Sequence, residues 1–173
     1  MLDTDAVARE VTEDAGIRET IREAFGSDVF DASGALDRSV LGRIVFAHPE
    51  KRQLLNGMVH PEISRRWHAW RAERRAAGEA AVVVIPLLYE VDATEGWDEV
   101  WCIAAPEEVM VQRLLDRGHT EGEARERMAS QMPLKEKMAR ADRVIENDDN
   151  LTAFHSRLRA AFNPCFLAEG ANP

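Results

Sequence analysis

The chain is 173 residues long, with 45% apolar and 31% charged side chains, enough for a globular core and against both disorder and a membrane-spanning role. No apolar run approaches the roughly 20 residues of a membrane helix, and the start MLDTDAVARE, with acids and no basic apolar pre-sequence, is not a signal peptide. Net charge is −9, from 22 basic and 31 acidic side chains, which runs opposite to the basic face a nucleic-acid binder needs.

Two cysteines, Cys102 and Cys165, make no disulfide framework; Cys102 sits in an apolar run and reads as a buried thiol in a reducing cytoplasm. Basic residues gather at 65–75 and 113–127, a pattern that solvated helix faces usually produce.

Residues 3–26 read as a helix capped by Asp3 or Asp5, with Ile17, Ile21 and Phe25 on one apolar face and Gly26 ending it. The segment SDVFDASGALD is rich in turn residues and suits a surface loop. A helix follows over 37–46, burying Val40, Leu41, Ile44 and Val45. Pro49 opens a short helix, and His60-Pro61 is expected to break it and start a longer one carrying Ile63, Trp67 and Trp70. That aromatic pair reads as core rather than as a cofactor platform. Gly78 ends this helix.

The next run, AAVVVIPLLYE over 80–90, has four β-branched residues in a row and no polar residue to mark a solvent face. It predicts a strand buried on both sides, as in a parallel sheet covered by helices. Tyr89 and Glu90 then lie past its carboxyl end, where open α/β sheets place ligands. EVWCIA over 99–104 reads as a second strand, followed by a helix that starts near Pro106, turns Val109, Leu114 and Leu115 inward and ends at Gly118. Thr120 and Glu123 form a capping box for another helix. After Pro133 come a short charged helix, a strand over 143–147 and a closing helix over 151–162, with a loosely held tail after Pro164. There is no repeat, linker or boundary, so the expectation is one α/β domain with helices on both faces of a parallel sheet.

Within these 173 residues there is no G-x-x-x-x-G-K-[ST] phosphate loop, no H-E-x-x-H, no paired C-x-x-C, no EF-hand loop and no G-x-S-x-G elbow. Metal-site readings therefore have little support. What remains is a set of acids and arginines. Asp5, after what looks like the last residues of a strand, can serve as general base on a hydroxyl or as a plain helix cap. Arg113 and Arg117, four apart, can clamp a polyphosphate from one helix face or balance Asp116 and Glu121. Arg38 can meet an anionic substrate or pair with Asp37.

Read together, the segments LDTDAVAREV, LDRSVLGRIVFAHPEKRQLLNGMVHP, VVVIPLLYE, VQRLLDRG and RMASQMPLKEKMARADRVIEN resemble, in order and spacing, the dephospho-coenzyme A kinase family. The first of them is similar to that family's D-A-D-x-x-A-R segment. The resemblance covers residues 2 to about 162 and rests on five pieces in register.

It implies a P-loop kinase, a three-layer fold on a five-stranded parallel sheet, with a helical acceptor region over about 37–77 and an arginine-bearing lid over about 113–132. The implied reaction is ATP- and Mg²⁺-dependent phosphorylation of the ribose 3′-hydroxyl of dephospho-coenzyme A, the last step of coenzyme A synthesis. By match, Asp5 is the base on that hydroxyl and Arg38 belongs to the acceptor side. Arg113 is the lid arginine on the transferring phosphate and Arg117 its companion. Asn147 falls in the loop near the adenine, and His60-Pro61 shapes the helical region.

The family's first strand and G-G-I-G-S-G-K-[ST] loop precede the D-A-D segment, which here begins next to Met1. In this class that loop supplies most of the positioning and charge stabilisation, so the polypeptide as written is expected to be nearly inactive. In the implied strand order 2-3-1-4-5, the 80–90 run is the third strand and residues 1–3 are what remains of the second. The run would then have an unpaired edge, predicting marginal stability, rescue by a partner or a rearranged sheet. The alternatives are a non-catalytic relative that binds coenzyme A precursors or a protein partner, and a different nucleoside or nucleotide kinase.

Overall fold

A computed structural model describes residues 1–167, with side chains to residue 162. Cys165 and the tail after Pro164 therefore lie wholly or partly outside the described residues. The chain forms two compact units, Met1–Pro86 and a second from Leu87 onward.

In the first unit, β1 (Leu2–Asp3) leads into α1 (Thr4–Glu13). The Asp3 side chain accepts from the Asp5 amide, so Asp3 is the cap and Asp5 the first-turn acid, a favourable charge at a helix N-terminus. The single helix expected over 3–26 is in fact two. Asp14 is extended (φ −61°, ψ 133°) and accepts from the amides of Gly16 and Ile17, capping α2 (Ala15–Phe25). A short polar side chain that satisfies two orphan amides offers the backbone an alternative to continuing the helix.

Ile17, Ile21 and Phe25 do share a face. Ile21 is fully buried with Val29, Leu36 and Leu41, and Val40, Ile44 and Val45 pack around them. Complete burial of a side chain such as Ile21 contributes about 1.5–3 kcal/mol. The loop before α3 (Arg38–Ala47) closes on Asp31 Oδ1, which accepts from the amides of Ser33 and Ala35 and from the Ser33 hydroxyl. Asp37 caps α3 through the amides of Ser39 and Val40.

The expected break at His60-Pro61 does not occur: α4 runs unbroken from Pro49 to Ala76 with Pro61 inside it. Proline removes one rung and crowds the carbonyl four residues back. Buried Val59 and Trp67 on either side hold the helix together through the fault. Of the aromatic pair expected in the core, Trp67 is buried with Arg71 5.2 Å over its ring, while Trp70 is only half-buried. The helix ends in a Schellman turn: Glu79 N–H bonds Arg74 O and Gly78 N–H bonds Arg75 O, with Gly78 at φ 68°.

The apolar run over 80–90 is strand only at β2 (Val83–Val84). It pairs in parallel with β1, Leu2 against Val83 and Asp3 against Val84, and Thr4 Oγ1 donates to Val84 O at 3.0 Å. Burial on both faces is not what the structure gives. Val82 and Val84 are 41% and 42% exposed while Val83 and Ile85 are half-buried. This alternation belongs to a strand with one covered face. Among the described residues, β2 pairs with β1 alone.

The second unit is built on β3 (Trp101–Ala104) and β4 (Arg143–Glu146), parallel and in register from Trp101 against Arg143 to Ala104 against Glu146. Glu99 holds Arg143 bidentately at 2.8 and 2.9 Å, fixing the start of that register. Between the strands lie α5 (Glu107–Leu115), α6 (Glu121–Ala129) and α7 (Leu134–Arg140), and α8 (Leu151–Leu167) follows β4. The Thr120–Glu123 capping box forms in both directions. Among the described residues, no helix is long and apolar enough to cross a membrane.

Candidate functional site

The residues singled out by sequence fall into two groups, one in each unit. In the first unit Asp5 stands in the first turn of α1, just past the carboxyl end of β1. It is exposed, and among the described residues its carboxylate has no hydrogen-bond or ion-pair partner. The capping duty that competed for it has gone to Asp3. A carboxylate left free at a strand's carboxyl end is able to take a proton from a bound hydroxyl.

Arg38 does not pair with Asp37. Its Nη2 donates to Arg9 O at 3.0 Å and to Glu13 Oε1 at 2.9 Å, bracing the start of α3 against α1. Glu13 lies eight residues beyond Asp5, about 12 Å along the helix, so the two are not neighbours. Arg9 is a residue that sequence reasoning quoted without nominating. It is exposed and four residues after Asp5, hence on the same helix face.

In the second unit the carboxyl end of β4 carries Asn147, whose amide donates to Ala104 O at 2.7 Å and adds one rung to the β3–β4 ladder. Arg113 on α5 is half-buried and donates from Nη2 to Asn147 Oδ1 at 3.3 Å. These two predicted residues, 34 apart in sequence, are thus brought together.

Arg117 lies beyond the last residue of α5, in the Schellman turn closed by His119 N–H to Leu114 O and Gly118 N–H to Leu115 O. Gly118 at φ 88° permits that turn. Arg117 is exposed, and its side chain makes no hydrogen bond or ion pair among the described residues.

Two residues that sequence reasoning missed hold the loop after β4. Arg157 on α8 donates to Glu146 O at 3.0 Å and pairs with Asp148. This arginine, with Arg113 nearby, holds the Asp148 carboxyl below the usual carboxylate range. Eleven residues separate Arg157 from the strand end it braces, and no local motif signals the contact. Cys102 is half-buried rather than fully buried, and burial pushes its thiol up. Among the described residues, no three His, Cys, Asp or Glu side chains converge as a metal cage.

The family model described as dephospho-CoA kinase matches residues 1–153. A dephospho-CoA kinase of Symbiobacterium thermophilum is 37% identical over 176 aligned positions, covering 100% of this chain and 74% of that protein. One from Geobacter metallireducens is 39% identical over 85% of this chain and 75% of its own length. A crystal structure from Thermus thermophilus superposes with a TM-score of 0.73 at 34% identity, covering 99% of this chain and 84% of the other. The dephospho-CoA kinase from Campylobacter jejuni gives 0.71 at 26% identity, over 97% and 85%. The parallel β1–β2 and β3–β4 pairs and the α/β alternation fit the P-loop kinase fold of these relatives. The chain belongs to the dephospho-CoA kinase family.

Proposed function

We propose that this chain is a cytoplasmic enzyme that transfers the terminal phosphate of ATP to the ribose 3′-hydroxyl of dephospho-coenzyme A. The observation that carries the reading is the family match over residues 1–153, which spans every residue nominated for the site. On the acceptor side, Asp5 takes the hydroxyl proton, and its freedom from any capping or ion-pair duty supports that role. Arg38, in an exposed pair with Glu13 that costs little to exchange, offers its guanidinium to the acceptor's anionic groups. The helices α3 and α4 form the acceptor region.

On the nucleotide side, Arg113 meets the charge that develops on the transferring phosphoryl group, with Arg117, in the turn after α5, as its companion on the arm over 113–132. Asn147, held in the β4 ladder, lines the adenine. Phosphoryl transfer asks little covalent chemistry of the protein and much positioning and charge stabilisation, and guanidinium groups supply both. Mg²⁺ accompanies ATP in this reaction. Among the described residues no three His, Cys, Asp or Glu side chains converge to hold the ion, which when bound with ATP would offset the charge of the phosphates.

The test is incubation of the full-length protein, expressed from the whole reading frame that carries these residues, with ATP, Mg²⁺ and dephospho-coenzyme A, following ADP release and the mass of the product. The expected result is ADP formation that depends on the acceptor, with coenzyme A as product. ADP release that ignores the acceptor, or transfer to other nucleosides in preference, would reject the assignment. Calorimetric heat from dephospho-coenzyme A without transfer would favour a binding-only relative.

A further inference from the structure

The turn that opens the second unit, residues 87–92, is closed by Val91 N–H to Leu87 O at 3.0 Å and sealed by Ala93 N–H to Leu88 O at 2.9 Å. Asp92 sits at φ 54°, reversing the chain there. The side chains of Tyr89 and Glu90 consequently gather the connection between α6 and α7. Glu90 Oε1 accepts from the Met132 amide at 2.9 Å and lies 2.7 Å from Lys137 Nζ, which also reaches Gln131 Oε1 at 3.3 Å. The Arg140 guanidinium lies 4.4 Å over the Tyr89 ring, and its Nη1 donates to Met132 Sδ at 3.7 Å. One carboxylate and one ring thus hold residues on both sides of Pro133.

The other attachment of α6 is weaker. Arg125 reaches Glu107 on α5 and Glu121 on its own helix, with side chains 58% to 64% exposed. The Lys137 and Glu90 side chains are only 13% and 21% exposed, so their charge-assisted bonds are less screened. Within α6 itself only Ala124 is buried. Three residues past the carboxyl end of α6, the chain is held at Met132 by the Glu90 carboxylate.

We infer that Glu90 is a positioning residue for phosphoryl transfer: by fixing the carboxyl end of α6 it sets the geometry of the arm that begins at Arg113. This rests on the kinase reading above. Glu90 touches no reacting atom in this scheme; it acts through the main chain at Met132 and through Lys137.

The experiment compares the full-length protein with Glu90→Ala, Glu90→Gln and Glu90→Ala/Lys137→Met, by native tryptic cleavage at Arg125 and Arg127 and by steady-state kinetics. In Glu90→Ala, cleavage at those two sites should rise about tenfold, through loss of a charged hydrogen bond. Its kcat should fall about tenfold to a hundredfold, as misplacement by an ångström does. KM for dephospho-coenzyme A should stay within about twofold, since acceptor binding is untouched. Glu90→Gln keeps an acceptor for the Met132 amide and should fall between, and the double variant should be no worse than Glu90→Ala. Unchanged cleavage, equal acceleration at every tryptic site, or faster local cleavage with a normal kcat would each overturn the inference. A wild-type protein that transfers no phosphate would overturn the kinase reading and Glu90's catalytic part with it. That failure is separable, because the cleavage comparison needs no substrate.

Discussion

Arg113 Nη2 and Asn147 Oδ1 meet at 3.3 Å, tying the last turn of α5 to the end of β4. The contact aims a guanidinium at the carboxyl edge of the β3–β4 pair while leaving most of its five donors unused. Arg113→Ala should lower kcat by about 10³ or more, the scale of a single catalytic arginine in phosphoryl transfer. Arg113→Lys keeps the charge but loses the planar fork, so recovery should be incomplete. Kinetics beside thermal unfolding check this; a folded Arg113→Ala protein within tenfold of normal would reject the role.

Asp3 caps α1, and the proposed function assigns the base to Asp5. Asp3→Ala removes the acceptor for the Asp5 amide and should cost about 1 kcal/mol of stability, as lost N-caps do. Asp5→Asn removes no hydrogen bond or ion pair among the described residues and only a first-turn charge, so it should cost less than about 1 kcal/mol while kcat falls by about 10² to 10⁴. Denaturant titration and kinetics on both variants would expose the reverse pattern, with Asp3 catalytic and Asp5 structural.

Glu62 carries a pH signature. Arg65 donates to it twice at 2.7 Å and Arg66 once at 2.8 Å, and these bonds pull its carboxyl down to about 2. A carboxylate whose folded pKa is depressed adds stability above its unfolded pKa and loses it as pH falls through the folded one. The Glu62 contribution should therefore be complete above about pH 4.5 and fade toward pH 2. Carboxyl carbon shifts followed by NMR should titrate near the low value, and move up in Arg65→Met. A Glu62 midpoint at the ordinary carboxylate value would contradict the ion pairs.

Two glycines should respond in opposite directions to alanine. Gly118 sits at φ 88°, where a Cβ is strained, so Gly118→Ala should cost about 1 kcal/mol. Gly122 lies inside α6 with nothing within 4 Å of an added Cβ. Gly122→Ala should stabilise by about 0.5–1 kcal/mol, through helix propensity and a less free unfolded chain. Paired urea titrations give both signs in one measurement.

What the sequence determined by itself is the part of the structure whose causes are local. The Thr120–Glu123 box, the Gly78 and Gly118 helix ends and the Ile17–Ile21–Phe25 face depend on residues within a turn or two, and all are present. The five motif segments also fixed the family, because spacing is a property of the chain alone. Tertiary structure decided the rest. Pro61 carries every local mark of a helix break, yet α4 passes through it because buried neighbours outweigh one lost rung. The 80–90 run looks buried on both faces, but exposure follows what covers a strand, and alternate residues of β2 face outward. Arg38 chose Glu13 over adjacent Asp37, Arg113 found Asn147, and Glu90 found Lys137. Each is a contact across 25 to 47 residues that only the folded backbone brings within reach.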